Sequence, residues 1–281
     1  MRLAVPTSAL LGLLLAQCGQ GGQGTATPSE EPTQEVLATQ PESALPSPRP
    51  VLAAGLLSGA QAAANPDCPE GMVLVEGEYC PEVLQHCLKW MDPPGRYQDY
   101  RCASYGQPEC LRPRKHLRFC IDRDEYTPPG EALPANGKSW SMGNKICRSL
   151  GKRLCQEREW NFACEGEEMR PYPYGFERDA TACNAERVDL TTPEGKLRDL
   201  RTPSDAFPRC VSPFGVRNLA GNLEEFVTMD RKGPPTPAMK GAYWQPSRNH
   251  CRARQTAHDR YYHGTETGFR CCSDAPTAGA D

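Results

Sequence analysis

The feature that most constrains this sequence is the distribution of its cysteines. Of the 15 cysteines, Cys18 alone precedes residue 67, and the other 14 follow it. Six of those 14 fall between positions 68 and 120, and the closest two, Cys80 and Cys87, are seven positions apart. A structural zinc site needs cysteine pairs separated by roughly two to four residues, so an even set with this spacing predicts disulfides. The sequence therefore predicts a disulfide-stapled domain that folds in an oxidising compartment.

The N-terminus has the pattern of an export signal. Arg2 supplies a positive charge, and residues 9–16 (ALLGLLLA) form an apolar segment that is too short to cross a bilayer of about 30 Å. Residues 15–18 (LAQC) resemble a bacterial lipobox, in which Cys18 becomes the lipidated N-terminus. Gln17 replaces the usual small residue, so ordinary secretion with cleavage nearby is the alternative. Residues 1–18 are thus a predicted signal, and the lipobox predicts an exported lipoprotein of the bacterial cell envelope, on the outer membrane or the periplasmic face, held to the membrane through lipid at Cys18.

Residues 19–66 have the composition of a disordered tether. They contain no cysteine and no aromatic residue, and Pro, Gly, Ser, Thr, Gln and Ala dominate them, so they offer too little apolar surface for a packed core. Residues 67–281 are left as one domain. The whole chain carries 32 Lys and Arg against 35 Asp and Glu, a formal net charge of -3. Bulk charge therefore predicts no nucleic-acid partner.

Hydrophobic periodicity predicts only a few regular elements in this domain. Residues 72–75 (MVLV) and 118–122 (RFCID) have the apolar patterns of short strands. Apolar residues at helical spacing predict one helix over about 142–150, ended by Gly151, and a second around Trp160. Residues 267–271 predict a terminal strand. Much of the domain is therefore expected to be loop.

Several segments between residues 72 and 271 resemble, in order, the motifs of the formylglycine-generating-enzyme (sulfatase-modifying factor) family. GKRL followed by an EW dipeptide is similar to the family's G-K-R-L-P-T-E-x-E-W, and GVRNLAGNLEEF is similar to its G-L-x-D-M-x-G-N-x-W-E-W. YPYG, GAYW and GFRC resemble three further family segments. The matching residues are Gly151–Leu154, Glu159–Trp160, Tyr172–Gly175, Gly215–Phe226, Gly241–Trp244 and Gly268–Cys271.

The resemblance implies a fold. It is an α+β fold, the C-type-lectin-like fold of formylglycine-generating enzymes, with short strands, few helices and long ordered loops. The domain would span residues 67–281, with the cysteine-rich stretch at about 78–117 as an insertion.

The resemblance also implies two disulfides. They are Cys164–Cys251 and Cys147–Cys271, and a local Cys164–Cys183 bridge is the main competitor for the first. Adjacent cysteines cannot easily bond to each other without strain, so Cys271 and its neighbour are expected to reach separate partners.

The family's chemistry carries over only in part. In the family, two cysteines just after the G-G-S-F segment bind copper and activate oxygen, which oxidises a substrate cysteine. Here Gln245 stands in the place of the first thiol and His250 in the place of the second, and only Cys251 is near. Cu(I) prefers soft thiolates, and a glutamine carbonyl is a poor substitute. The sequence predicts that formylglycine synthesis is lost, and it leaves Gln245, His250, Cys251 and His258 as groove candidates for copper or iron chemistry.

Calcium is the other cofactor that the resemblance implies. In the family pattern N-x-x-G-N-x-x-E, side-chain and carbonyl oxygens hold the ion, which suits a hard cation with about six to eight oxygen ligands. The matching positions here are Asn218, Gly221, Leu223 and Glu225. Glu224 stands where the family has Trp. A second, less complete calcium site would begin at Asn184 and Ala185.

Two classes of function follow from these observations. The first is a binding or scaffold module, supported by calcium, that presents its loops to an exported protein, peptide or glycan. Trp244, Tyr261 and Tyr262 are its candidate aromatic contacts, because binding surfaces favour such side chains. The second is a metal-dependent oxidoreductase of the same family, acting on an exported protein or a small molecule. A fold alone does not choose between the two classes.

Overall fold

The computed structural model describes residues 67–276, which form twelve short strands and two helices. These residues lie within one compact unit. The predicted signal at 1–18, the lipidated Cys18 and the tether at 19–66 lie outside the described residues. In chain order the elements are β1 (Met72–Tyr79), β2 (Val83–Leu84), β3 (Cys87–Trp90), β4 (Cys102–Tyr105), β5 (Glu109–Cys110), β6 (Lys115–Asp122), α1 (Trp140–Ser149), β7 (Arg153–Leu154), α2 (Glu157–Glu165), β8 (Glu224–Thr228), β9 (Pro237–Lys240), β10 (Arg254–Gln255), β11 (Thr267–Gly268) and β12 (Cys271–Asp274).

The first sheet joins the beginning of the described chain to its end. Its strand order is β1-β6-β12-β7, and every neighbouring pair is antiparallel. Strand β6 lies between β1 and β12, and Phe119, Cys120 and Ile121 are consecutively buried there. A strand that is covered on both faces needs such a continuous apolar run. The strands predicted at 72–75 and 118–122 are therefore present, and both extend further than the apolar pattern indicates.

The second sheet has the order β10-β9-β8-β11, with β11 parallel to β8. The sequence predicts one terminal strand over residues 267–271, but the structure divides this stretch. Thr267 and Gly268 pair with β8, whereas Cys271 begins β12 in the first sheet. Phe269 and Arg270 lie between the two strands, and both side chains are buried. The prediction was wrong about a single strand because the chain crosses from one sheet to the other here.

Each helix has an identifiable start or stop. In α1, the Ser139 side chain accepts a hydrogen bond from the Met142 N–H at 3.2 Å, which caps the helix. The chain leaves α1 at Gly151, whose φ of +70° is unfavourable for other residues. In α2, the Glu159 carboxylate accepts the Gln156 N–H at 2.8 Å, as in one half of a capping box. Both helices thus lie close to the predicted positions.

Two apolar clusters hold the helices against the sheets. One surrounds Trp160 and Phe162 of α2 and includes residues of β1, β6 and β8. The other brings Trp140 of α1 together with Phe226, Met239 and Phe269. The core is therefore shared between the sheets, and strand β8 contributes to both clusters.

Seven disulfides join all 14 cysteines of the described region. Helix α1 is tied to β12 by Cys147–Cys271, and the residue after β7 is tied to it by Cys155–Cys272. The two adjacent cysteines thus reach separate partners. The complete set is Cys68–Cys120, Cys80–Cys110, Cys87–Cys102, Cys147–Cys271, Cys155–Cys272, Cys164–Cys251 and Cys183–Cys210.

Candidate functional site

Cys251 is bonded to Cys164 of α2, and neither residue is exposed. The competing partner Cys183 is bonded to Cys210 instead. A disulfide sulfur carries no thiolate, and the thiolate is the form that binds a soft metal or attacks a substrate. Within residues 67–276, every cysteine is committed in this way. The donor set at this position therefore does not fit the copper chemistry of the family.

Gln245 and His258 face a cavity of about 250 Å³, whereas His250 and Cys251 do not line it. The Nδ1 atom of His250 is buried, with no hydrogen-bond partner among the described residues. Burial, reinforced by the charge of Lys240, lowers the pKa of His250 to about 3, so its ring is neutral. Of the four groove candidates, two thus line the cavity and two do not.

Two carboxylates and two tyrosines form the polar wall of this cavity, which we name the Glu224 cavity. It is lined by Glu224, Glu266, Tyr243 and Tyr262, together with Gln245 and His258. The Glu224 N–H donates to the Glu266 carbonyl at 2.9 Å, which fixes the two acidic residues beside each other. The Tyr262 hydroxyl donates to Glu266 Oε1 at 2.7 Å, and the ring of His258 stacks on Tyr262 with centroids 3.6 Å apart.

The electrostatics of the cavity follow from this crowding. Burial and the neighbouring charge of Glu266 raise the pKa of Glu224 to about 7. Burial and the charges of Glu266 and Glu224 raise the pKa of Tyr243 to about 12. Burial and its hydrogen bond to Glu266 also raise the pKa of Tyr262. Ionisation of Glu224 is therefore opposed by burial and by the neighbouring Glu266.

The predicted calcium ligand Glu225 faces a different partner. Arg270 donates to its carboxylate through Nε and Nη2 at 2.6–3.0 Å, and Trp160 Nε1 donates to Oε2 at 2.8 Å. The side chains of Glu225 and Arg270 are 1% exposed. The carboxylate that calcium would need is thus neutralised by a buried guanidinium.

The loop before Glu225 is organised around a carboxylate as well. The side-chain amides of Asn218 and Asn222 donate to Glu125 Oε2 at 3.1 and 2.8 Å, and the Leu223 N–H donates to Oε1 at 3.1 Å. These hydrogen bonds come from N–H donors that surround the Glu125 carboxyl group, whereas calcium is surrounded by oxygen acceptors. In this arrangement the residues at 218–225 do not fit a calcium ion unless Arg270 leaves Glu225. Calcium at these positions stays a prediction.

The second predicted calcium position also has protein partners. The Asn184 side chain donates to the Leu200 carbonyl at 2.8 Å and accepts from Arg187 Nε at 3.0 Å. The Asn184 carbonyl accepts the Asn222 N–H at 2.8 Å, and the Ala185 carbonyl accepts from Asn249 Nδ2 at 3.3 Å. Gly221, the remaining predicted ligand of the first position, approaches the Asn184 carbonyl so closely that a Cβ would lie 2.3 Å from it. Here too, the structure shows a hydrogen-bonded junction of two loops.

Two further outcomes concern the aromatic contacts and the metal clusters. Trp244 is fully buried, so its candidacy as a surface contact was wrong, because the ring packs inside the domain. Tyr261 is 68% exposed, and Tyr262 lines the Glu224 cavity.

Over residues 67–276 there is no cluster of three or more His, Cys, Asp or Glu side chains suited to a metal ion. The same residues contain no helix with the length and apolar character that a membrane span requires.

Sequence reasoning missed the Glu224–Glu266 pair and one buried cation. Lys240 in β9 is 1% exposed, and its Nζ has no hydrogen-bond partner among the described residues. The nearest carboxylate oxygen, Glu157 Oε1, is 3.9 Å away, and the Trp160 ring centroid is 5.3 Å away. Burial lowers the pKa of Lys240 to about 7. The available signal was the pair of glutamates that opens the apolar strand β8, at a place where the family has Trp.

The described residues thus define a class: a disulfide-stapled, loop-rich α+β domain without a free thiol in its described part. Residues 109–275 match the model of the sulfatase-modifying factor enzyme 1-like domain, which is more than half of the chain. The chain belongs to this family.

Similar proteins include both active and inactive relatives by name. The chain is 29% identical over 168 residues to the formylglycine-generating enzyme of Bos taurus, covering 50% of this chain and 44% of the relative. It is 31% identical over 157 residues to the inactive C-alpha-formylglycine-generating enzyme 2 of Mus musculus, covering 51% of this chain and 50% of the relative. The chain therefore spans about half the length of the curated relatives it matches.

Solved structures with a similar fold include PvdO from Pseudomonas aeruginosa and CarF. The alignment with CarF has 14% identity and a TM-score of 0.49, and it covers 74% of this chain and 99% of CarF. The alignment with PvdO has 17% identity and a TM-score of 0.48, and it covers 75% of this chain and 96% of PvdO.

Proposed function

We propose that this protein is an exported member of the family that does not synthesise formylglycine and acts as a binding or scaffold module. The observation that carries the proposal is the Cys164–Cys251 disulfide, together with Gln245 and His250 at the positions of the family's two thiols. Copper activation of oxygen needs a thiolate pair, and the only cysteine in this segment is bonded and buried.

The seven disulfides support export, since such bonds persist only outside a reducing cytosol. They close loops of 15 to 124 residues and so stabilise a domain with little regular structure. The lipobox-like segment that ends at Cys18 supports a lipid anchor on a bacterial envelope membrane. Such a rigid domain suits the presentation of loops to an exported protein, peptide or glycan.

A free-thiol map tests the proposal. The exported, unreduced chain is alkylated under denaturing conditions, and the modified cysteines are identified by peptide mass spectrometry. We expect no alkylation among the 14 cysteines from Cys68 onward, and alkylation of all 14 after reduction, which serves as the control. Alkylation of Cys251 in the unreduced protein would overturn the proposal, and oxygen consumption with a cysteine peptide and copper would then be measured. Mass analysis of the mature N-terminus tests lipidation of Cys18 separately.

Calcium support is a separate proposal. The family pattern at Asn218, Gly221, Leu223 and Glu225 supports it, and the Arg270–Glu225 ion pair argues against it. The proposed binding role does not depend on calcium. Whether calcium stabilises the domain is tested by its removal with a chelator.

A further inference from the structure

The Glu224 cavity holds carboxylate oxygens that the fold does not use. Neither oxygen of Glu224 has a hydrogen bond or an ion pair among the described residues, although the residue is partly buried. Glu266 is only 9% exposed, and its sole hydrogen bond in the described part is the one that Oε1 accepts from Tyr262. None of the three unbonded oxygens is among the fully buried side-chain atoms that lack a partner, so they face the open space of the cavity, where a ligand with N–H donors can replace water.

The backbone also makes room for one of these carboxylates. The Glu266 side chain folds back over Gly264, where a Cβ would lie 2.3 Å from Oε2 and 2.4 Å from Oε1. In this conformation the Glu266 carboxylate uses the space that a side chain at position 264 would fill.

Positive charges at the cavity are already engaged or exposed. Arg254 Nη1 lies 3.3 Å from both carboxylate oxygens of Glu157, and Arg248 stacks over the Tyr100 ring at 5.1 Å. Both arginines are exposed to solvent. The carboxylates of Glu224 and Glu266 therefore have no cationic partner in the described part of the chain.

We infer that the Glu224 cavity binds a primary ammonium group, carried either by a small alkylamine or by a lysine side chain of a partner protein. An ammonium offers three N–H donors, and three carboxylate oxygens are unbonded: both of Glu224 and Oε2 of Glu266. The rings of Tyr243 and Tyr262 supply aromatic faces, which attract cations. The volume of about 250 Å³ is below the roughly 300–1,000 Å³ of drug-sized sites, so it suits a compact head on a thin alkyl chain.

Two observations separate this ligand from others. Residues 67–276 contain no group of three or more His, Cys, Asp or Glu side chains suited to a metal ion, and two carboxylates alone leave much of a calcium shell of about six to eight oxygens unfilled. An anion would face two carboxylates and would depend on the exposed arginines for charge compensation. Burial and the charge of Glu266 raise the pKa of Glu224, and a bound cation would relieve that repulsion. Glu224 stands where the family pattern has Trp, so this ligand would be particular to this chain.

The test uses the full exported chain with its disulfides intact and three probes of equal length. Binding of n-butylammonium, n-butanol and butyrate is measured by isothermal titration calorimetry and by NMR chemical-shift titration. A peptide arm compares acetyl-Gly-Lys-Gly-amide with the same peptide acetylated on the lysine. We expect saturable binding of the butylammonium ion or of the lysine peptide, at least about tenfold tighter than binding of butanol or of the acetylated peptide. Binding of butylammonium without binding of the lysine peptide indicates a small amine, and binding of the lysine peptide, with or without butylammonium, indicates a partner protein.

Variants connect the binding to the cavity. Glu224→Gln keeps the shape and removes the charge, and it should weaken the ammonium probe about tenfold or more. Glu266→Gln is the second variant if the first fails to fold, and Glu194→Gln, on an exposed residue outside the cavity, is the matched control. Absence of saturable ammonium binding, equal binding of butanol, or an unchanged affinity in both cavity variants overturns the inference.

The inference rests on the proposed binding role, and the two fail in different ways. If all 14 cysteines are disulfide-bonded and the chain binds no ammonium, the proposed function stands and the inference is overturned. A free Cys251 overturns the proposed function whatever the calorimetry shows.

Discussion

Arg270 donates to both carboxylate oxygens of Glu225 in the interior, and the two residues are 45 positions apart in the chain. The same guanidinium also donates to backbone carbonyls. Its Nη1 donates to the carbonyls of Asp122 and Arg123, and its Nη2 donates to the carbonyl of Arg217. One side chain thus connects β8, the end of β6 and the loop before β8. The crossing of the chain between its two sheets is held by this contact.

Breaking this ion pair from one side should be strongly destabilising. In Arg270→Met the carboxylates of Glu225 and Glu125 lose the cation that both depend on, and an uncompensated buried charge costs roughly 3–5 kcal/mol. We expect the urea midpoint to fall accordingly, or the yield of folded protein to be lost. Arg112→Met, which breaks the exposed pair with Glu82, should leave the midpoint nearly unchanged. Equal midpoints for the two variants would contradict this account.

Replacing the buried cation Lys240 should have the opposite effect. Lys240→Met keeps the length of the side chain and removes an ammonium that has no hydrogen-bond partner among the described residues. Glu157 keeps Arg254 as a cationic partner, so relief of the desolvation cost should stabilise the domain by about 1 kcal/mol or more. Lys232→Met, at an exposed position, should stay within about 0.5 kcal/mol of the wild type. Chemical denaturation at pH 7 measures both. A lower stability for Lys240→Met would mean that the contact with Trp160 outweighs desolvation.

The same lysine should make stability depend on pH. Its pKa falls from 10.5 to about 7 on folding because burial disfavours the charged form. Between these values the unfolded chain binds the proton and the folded chain does not, so the free energy of unfolding rises with pH. We expect wild-type stability to gain between pH 7 and pH 9 relative to Lys240→Met. If the free energies of unfolding of the two proteins changed in parallel across this pH range, the result would contradict the lowered pKa of Lys240.

Calcium removal is expected to change little. Because Glu225 is neutralised by Arg270 and Asn218 donates to Glu125, EDTA should leave the melting temperature unchanged, and added calcium should not raise it. Thermal melting with EDTA, with calcium and with magnesium as the control measures this. A rise that is specific to calcium would support the family's calcium site in this chain and would require Arg270 to move away from Glu225.

Removal of the bridge beside the family's thiol position should destabilise the domain without exposing a reactive centre. Cys164→Ala with Cys251→Ala opens a loop of 87 residues, for which chain entropy predicts a loss of about 4–5 kcal/mol. The matched control is Cys87→Ala with Cys102→Ala, which opens a loop of 15 residues and should cost about 3 kcal/mol. Guanidinium titrations rank the two double variants. The reverse order would show that native packing, and not loop closure, dominates at these bridges.

Local patterns in the sequence predicted the parts of the fold that local physics determines. The helices ending near Gly151 and Gly166 and the strands at 72–75 and 118–122 follow from periodicity and from cap residues. The single strand expected at 267–271 was wrong, because periodicity carries no information about a change of sheet. The requirement that Arg270 reach Glu225 is a long-range contact, invisible in a window of ten residues.

The candidate site was predictable to a smaller degree. The absence of a thiolate pair could be read from Gln245 and His250, because residue types at matched positions are visible in the sequence. Burial was not visible in the sequence: Trp244, a predicted surface contact, lies inside the domain, and Lys240 is buried although lysine side chains are usually exposed. The Glu224–Glu266 pair brings together two residues 42 positions apart, one at the start of β8 and one just before β11, so no local motif could have indicated it.

The position of β12 has a consequence for the order of events during synthesis. Because β12 lies between β6 and β7, the first sheet is incomplete until Cys271–Asp274 have been synthesised. Cys147 and Cys155 have no partners before then, and a domain truncated at residue 270 would present two unpaired thiols and two open strand edges. Completion of the first sheet therefore depends on its last strand, and a prematurely ended product would expose edges that favour aggregation.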